Sequence, residues 1–151
     1  MPTLPMFPLE VAVLPGERLP LQIFEPRYAA LVQACLAADD PEFGVVLIAA
    51  GREVGGEDAR SDIGALARIV EYADLGAGRY RINCVVKERF RVLEWHPDNP
   101  YPEAAVELWP DEQGAPVDVA TVRDIEDRIA ALYDRFAAVR GAQVNGRDIV
   151  R

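Results

Sequence analysis

Five side chains in this sequence are of types that carry out catalysis in other proteins. Ser61 is the only serine and Lys87 the only lysine, and a serine activated by a lysine is the nucleophile of some peptidases. His96, the only histidine, could act as a base, and Cys35 and Cys84 could attack as thiolates. A catalytic pair is recognised by its geometry, and one serine and one lysine would have to meet by a rare arrangement. We therefore predict no catalytic residues.

The sequence also lacks the patterns that hold a metal ion or a nucleotide. A protein metal site needs several ligands, and the chain has no second histidine and no Cys-x-x-Cys pair. Gly51, Gly55 and Gly56 are followed by acidic residues, whereas a phosphate-binding loop ends in a lysine and a hydroxyl residue. Both cysteines fall on apolar faces of predicted elements, which indicates buried thiols. We predict no cofactor and no metal site.

The most informative charged residues lie in LPLQIFEPRY, residues 19–28. Pro26 suits the first position of a helix, where no N–H is needed, and Glu25 then lies at the positive end of the helix dipole. We favour an ion-pair set that fastens the helix start to the sheet, formed by Glu25 with Arg27, Arg68 and Arg89. The alternative is a groove with Arg27 at its rim, where it would meet a carboxylate or carbonyl of a bound polypeptide. The candidate residues for that site are Phe24, Glu25, Arg27, Tyr28, Arg68 and Arg89. The two aromatic residues among them are expected in the core.

The elements that position these residues follow from the apolar pattern. Prolines divide the N-terminal part into short apolar pieces at residues 4–7, 11–14 and 19–24, which read as short strands joined by tight corners. An apolar stripe with helical spacing then predicts a helix near residues 26–38. Further strands are predicted from the apolar and alternating segments at residues 43–49, 63–72, 79–95 and 103–109, with a hairpin turn at 74–78.

The C-terminal part of the sequence predicts one long helix near residues 119–140. Its apolar residues recur at alternating steps of three and four: Val122, Ile125, Ile129, Leu132, Phe136 and Val139. Asp118 is a suitable N-cap and Gly141 a suitable C-terminal cap. We predict an α+β fold with a β-rich domain over residues 1–110 and a helical appendage over residues 111–151.

The composition is that of a globular protein, with 50% apolar and 27% charged residues. The formal net charge of −9 disfavours nucleic acid as a partner, because phosphate binding requires a basic surface. No apolar run approaches the length that spans a bilayer, and the N-terminus lacks the basic start of a secretory signal. We expect no membrane partner and a cytoplasmic protein whose two cysteines stay reduced.

Six short motifs occur in an order that resembles a known family. They are LPMFPL (4–9), VLPGERLPLQIFEPRY (13–28), FGVVLI (43–48), IGALARI (63–69), GRYRI (78–82) and ERFRV (88–92). Together they resemble the N-terminal substrate-recognition domain of the Lon protease family, which also exists as a stand-alone bacterial protein. The resemblance covers roughly residues 4–109. One position departs from the family pattern, since Val86 stands where the family commonly has glycine.

The resemblance implies a PUA-like β-rich pseudo-barrel with one inserted helix, followed by a long helix, and a role in engaging unfolded or partner polypeptides. It does not imply proteolysis, because the ATPase and peptidase of a full-length Lon protease lie in later domains. Our leading prediction is a non-enzymatic polypeptide-binding module. An RNA-binding PUA-like domain, a structural adaptor for a fixed protein partner and a small enzyme with an unrecognised site remain alternatives. The oligomeric state is left open, with a weak dimer among the candidates.

Overall fold

The fold contains strands and helices in the order that the sequence predicts, with one long hairpin at its centre. The structure is a computed structural model that describes residues 2–50 and 59–140. Its elements are β1 (Thr3–Leu9), β2 (Arg18–Ile23), α1 (Pro26–Ala37), β3 (Glu42–Ala50), β4 (Ala59–Gly76), β5 (Arg79–His96), β6 (Glu103–Trp109) and α2 (Val119–Arg140). The predicted α+β class is confirmed.

Two segments differ from the prediction. Residues 11–14 are not a strand, because the chain leaves the sheet after Leu9 and bends at Gly16, whose φ is +90°. A short apolar run reads as a strand whether or not a neighbouring strand is there to pair with it. Strand β4 starts at Ala59 rather than at Ile63, since backbone pairing with the end of β3 continues through polar residues.

The sheet closes on itself through the long strand β5. One edge of β5 pairs with β4, and the other edge pairs first with β2, over Tyr80–Val85, and then with β6, over Arg89–His96. Strands β4, β3, β1 and β6 complete the ring back to β5. Only β2 stays outside this ring, as an edge strand with one partner. Between Val86 and Arg89, β5 contains one residue more than the facing part of β4, which is a β-bulge.

The core of the closed sheet is apolar and includes one face of α1. This helix buries Tyr28, Ala29, Leu31, Val32 and Cys35, which follow the helical spacing of the predicted stripe. The rings of Phe7 and Tyr28 lie 4.3 Å apart between centroids. Each large apolar side chain removed from water contributes roughly 1.5–3 kcal/mol, so this face fixes α1 against the strands.

The two compact units of the chain are Met1–Asp111 and Glu112–Arg151. In the second unit, the Asp118 Oδ1 atom accepts a hydrogen bond of 3.2 Å from the backbone N–H of Ala120, so the predicted N-cap is confirmed. The predicted C-terminal cap, Gly141, lies outside the described residues.

All six residues of the apolar stripe on α2 are between 38% and 88% exposed. Within the described residues, no helix is long and apolar enough to cross a membrane.

The ring of Phe90 occupies the space that side chains would take at two glycines. Phe90 is fully buried. A Cβ atom at Gly44 would lie 2.8 Å from Phe90 Cζ, and one at Gly64 would lie 2.6 Å from the same atom. At Gly64 the added atom would also collide with the backbone carbonyl of Val45. The close approach of β3, β4 and β5 at this point therefore requires glycine.

Replacing Gly64 by alanine should lower the free energy of unfolding by about 1–3 kcal/mol, the usual cost of overpacking a core. The matched control is Gly114→Ala, because a Cβ at Gly114 meets nothing within 4 Å. Urea denaturation followed by circular dichroism measures both variants. Equal stability of the two variants would show that the Phe90 contact does not constrain the sheet.

Candidate functional site

The start of α1 is held by a partly buried ion pair between two residues of the predicted site. Glu25 precedes the helix at the N-cap position, but its side chain makes no capping hydrogen bond. Instead, Arg27 Nε donates a hydrogen bond of 2.8 Å to Glu25 Oε2, and the two side chains are only 18% and 16% exposed. The Arg27 guanidinium also lies 4.4 Å above the ring of Tyr28. The ion pair therefore links Glu25, which precedes α1, to Arg27 in its first turn, and Arg27 in turn packs on the buried Tyr28.

The same arginine reaches the connection between β5 and β6. Arg27 Nη1 lies 4.0 Å from Asp98 Oδ2, and Arg60 Nη2 lies 3.6 Å from the same oxygen. Burial lowers the pKa of Arg27, but the hydrogen bond to Glu25 and the nearby negative charges outweigh this, so its pKa is raised. Arg27 is therefore a fixed cation between two carboxylates.

The predicted ion-pair set holds for Glu25 and Arg27 but is wrong for the other two arginines, which lie in separate groups. Arg68 Nη1 is 3.2 Å from Asp40 Oδ1 and 3.1 Å from Glu42 Oε1. Arg89 Nη2 is 3.6 Å from Asp111 Oδ1. Arg68 faces Glu42 in the register of β4 with β3, and Arg89 faces Trp109 of β6, two residues before Asp111. That register cannot be read from the spacing of charges along the chain.

Of the two aromatic residues expected in the core, only one lies there. Tyr28 is 4% exposed, as predicted, whereas Phe24 is 59% exposed. Phe24 follows the buried Ile23 at the end of β2, and successive residues of an extended chain point in opposite directions. Phe24 instead forms one wall of a groove of about 180 Å³, which we call the Phe24 groove. Its lining is Phe7, Pro20, Leu21, Gln22, Ile23, Phe24, Glu25 and Tyr28.

A second and larger groove, of about 270 Å³, lies beside residues 11–14. We call it the Arg89 groove. Its lining is Leu9, Val11, Ala12, Val13, Leu14, Val45, Val46, Leu47, Ser61, Ile63, Gly64, Ala65 and Arg89. Among the described residues that line it, Ser61 and Arg89 are the ones with polar side chains. The segment predicted as a strand is thus one wall of the groove, and Val11 and Leu14 are 62% and 64% exposed.

Sequence reasoning missed this groove for a definable reason. The apolar run between Glu10 and the Pro15-Gly16 turn predicts a strand from its composition alone, and composition does not show whether a neighbouring strand is present to pair with it. The available signal was the length of the run, because four residues bounded by a turn leave little room for pairing on both sides. Of the predicted site residues, Phe24, Glu25 and Tyr28 come together in the Phe24 groove. Arg89 lies in the other groove.

Comparison with known proteins connects this chain with a substrate-binding domain. Residues 3–146 match the family model described as the ATP-dependent protease La (LON) substrate-binding domain. The chain belongs to this family. The matched domain is thus one that binds substrate and is not itself catalytic. The predicted family resemblance is confirmed.

Two solved structures of Lon N-terminal domains resemble this substrate-binding domain. One is the Lon N-terminal domain protein from Xanthomonas campestris, with 28% identity over 87% of this chain and 75% of that chain and a TM-score of 0.64. The other is the N-terminal domain of the Mycobacterium avium complex Lon protease, with 18% identity over 99% of this chain and 74% of that chain and a TM-score of 0.65. The second match shows the shared fold alone. No curated protein matches the chain.

The residues with catalytic potential have structural roles in this substrate-binding domain. Ser61 Oγ accepts a hydrogen bond of 3.3 Å from the backbone N–H of Ile63, and Lys87 Nζ lies 4.0 Å from a carboxylate oxygen of Glu42. Burial raises the pKa of the free thiols, to about 11 at Cys35 and about 12 at Cys84. Both thiols are therefore protonated at neutral pH and unsuited to nucleophilic attack.

The remaining histidine and the acidic residues do not assemble a metal site within the described ranges. His96 is the last residue of β5 and pairs with Glu103 of β6, one residue beyond the end of the predicted strand 79–95. Residues 2–50 and 59–140 contain no group of three metal-ligating side chains. The Phe24 groove and the Arg89 groove are thus among the features of the described chain that suit a ligand.

Removing Arg27 should test whether the trio at the helix start is structural. Arg27→Ala leaves the Glu25 carboxylate largely buried without its hydrogen bond, so the free energy of unfolding should fall by about 1–2 kcal/mol. The matched control is Arg68→Ala, which removes a more exposed arginine, 37% against 18%, and leaves Lys87 beside Glu42, so stability should change less. Urea denaturation midpoints provide the measurement. A larger loss for Arg68→Ala would contradict the assignment of Arg27 as the structural arginine.

Proposed function

We propose that this chain is a non-enzymatic polypeptide-binding module that captures extended apolar segments of unfolded or partner polypeptides in the Arg89 groove. The observation that carries the proposal is an open groove with an almost wholly aliphatic lining in a domain of a substrate-binding family. In this proposal the binding surface belongs to residues 1–110, and residues 111–151 form a helical appendage.

The size and chemistry of the Arg89 groove suit a short apolar segment. Its volume of about 270 Å³ is slightly smaller than that of typical small-molecule pockets, which begin at about 300 Å³. Leu47 and Ile63 are 37% and 47% exposed in the groove, and Val11 and Leu14 are more exposed still. Covering aliphatic surface of this kind is favourable for any apolar chain, whatever its sequence. A module that recognises many substrates requires such binding, which depends little on the ligand's sequence.

The free edge of β2 is a poorer place for an incoming polypeptide. A bound strand would pair with backbone N–H and C=O groups along that edge, but Pro20 at its centre has no N–H. Proline on an edge strand is a common protection against such pairing. We therefore propose the Phe24 groove as a secondary contact, in which exposed Phe24 meets apolar side chains of the same bound chain.

The distribution of charge favours a polypeptide over a nucleic acid. Arg27, Arg60, Arg68 and Arg89 each have a carboxylate oxygen within 4.0 Å, which reduces the positive potential they offer to phosphates. The net charge of −9 acts in the same direction. The two buried free thiols are compatible with a reducing compartment, so we place this function in the cytoplasm.

The proposal is tested by removing apolar side chains from the exposed wall of the groove. In the double variant Val11→Ser, Leu14→Ser, a bound chain loses two aliphatic contacts, each worth about 1 kcal/mol. Affinity for a permanently unfolded, fluorescently labelled polypeptide should fall at least about tenfold, as measured by fluorescence anisotropy. Both side chains are well exposed, so the thermal melting temperature should stay nearly unchanged.

The matched control is Val70→Ser, since Val70 is 52% exposed on β4 and lines neither groove. It should bind the unfolded polypeptide as tightly as the unaltered protein. A loss at Val70 as large as that of the double variant would contradict the location of the site. An unchanged affinity of the double variant would contradict the groove as the binding surface.

A further inference from the structure

We propose that Arg89 binds the free C-terminal carboxylate of a polypeptide whose last residues are apolar. This deepens the proposed function and rests on it: the Arg89 groove would recognise an apolar chain end, with the aliphatic wall holding the last side chains and the guanidinium holding the carboxylate.

The first argument is that the guanidinium of Arg89 is incompletely satisfied. Its Nε–H donor is shielded from solvent and has no hydrogen-bond acceptor among the described residues. A buried donor without an acceptor is costly, and a turn of the guanidinium that brings this N–H to a ligand carboxylate would recover that cost. The planar guanidinium of arginine matches a carboxylate with two parallel hydrogen bonds.

The second argument is that the carboxylate now nearest to Arg89 is a weak partner. Asp111 Oδ1 lies 3.6 Å from Arg89 Nη2, which is longer than a hydrogen bond, and the Asp111 side chain is 81% exposed. Exposed ion pairs of this kind contribute little, because water competes for both charges. A ligand carboxylate enclosed by the aliphatic groove would meet a lower dielectric and therefore interact more strongly.

The third argument concerns the shape and charge of a fitting ligand. Among the described lining residues the groove offers one cation, Arg89, between aliphatic side chains, so its ligand should be mostly apolar with one anionic group. A chain end has that composition, and it does not have to continue beyond a space of about 270 Å³. A segment with several acidic residues is disfavoured, because the whole chain carries a formal net charge of −9.

Arg91 provides a matched comparison on the same strand. The guanidinium carbons of Arg89 and Arg91 each lie 4.9 Å from the ring centroid of Trp109. Only Arg89 lines the groove. The two arginines therefore share an aromatic neighbour and differ in their access to a ligand in the groove.

The experiment compares three fluorescent peptides of about eight residues with the same apolar sequence. The first has a free C-terminus, the second a C-terminal amide, and the third a C-terminal amide and one internal glutamate. The unaltered protein should bind the first peptide about tenfold more tightly than the second, which corresponds to about 1.4 kcal/mol. Arg89→Gln should bind the first peptide only as tightly as the second. Arg91→Gln should keep the tenfold preference.

The outcomes separate this proposal from the more general one. If the unaltered protein binds the free acid and the amide equally, carboxylate recognition is wrong while polypeptide binding stands. If the peptide with the internal glutamate binds as tightly as the free acid, the groove also binds side-chain carboxylates, and the proposal that it recognises a free C-terminus is wrong. If neither the peptides nor a permanently unfolded polypeptide bind, the proposed function fails as well. An unchanged affinity of Arg89→Gln for the amide shows that the variant is folded.

Discussion

The packing of Phe90 against Gly44 and Gly64 determines the geometry of the closed sheet and of the surface outside it. Because neither glycine has a Cβ, the ring fits between β3, β4 and β5 with no exposed area. Side chains alternate between the two faces of a strand, so a buried Phe90 directs its neighbours Arg89 and Arg91 outward. Both then lie beside Trp109. One core contact thereby fixes the position of the cation in the groove.

The charged residues divide into a structural group and a group available to a ligand. Glu25 and Arg27 bond to each other, with Arg27 also above Tyr28, and this pair stabilises the junction between β2 and α1. Arg89 has a distant, exposed carboxylate as its partner and a donor without an acceptor in the described chain. The two arginines differ in how far the fold encloses them, since the Arg27 side chain is 18% exposed and the Arg89 side chain 36%. Arg27 is enclosed and stabilises the fold, whereas Arg89 lies at the wall of an open groove, where we propose that it meets a ligand.

Sequence patterns predicted the elements with a strong local cause. The stripe of α1, the turn at Gly76–Gly78, the strand 103–109 and the cap at Asp118 depend on periodicity and on turn or cap residues close together in the chain. The grooves and ion pairs depend instead on which strands meet and in what register. The bulge after Val86 shifts the register of β5 before Arg89. No local pattern shows such a shift, so the site of Arg89 could not be predicted.

The central claim is that an apolar polypeptide binds beside residues 11–14, and backbone amide chemical shifts measure this most directly. A ¹⁵N-labelled sample would be titrated with an unlabelled apolar peptide. The account predicts that the largest shift changes occur at Val11, Leu14 and Ile63, which surround the Arg89 groove. Changes confined to the exposed stripe of α2 or to the tip of the β4–β5 hairpin, with the groove residues unaffected, would contradict it.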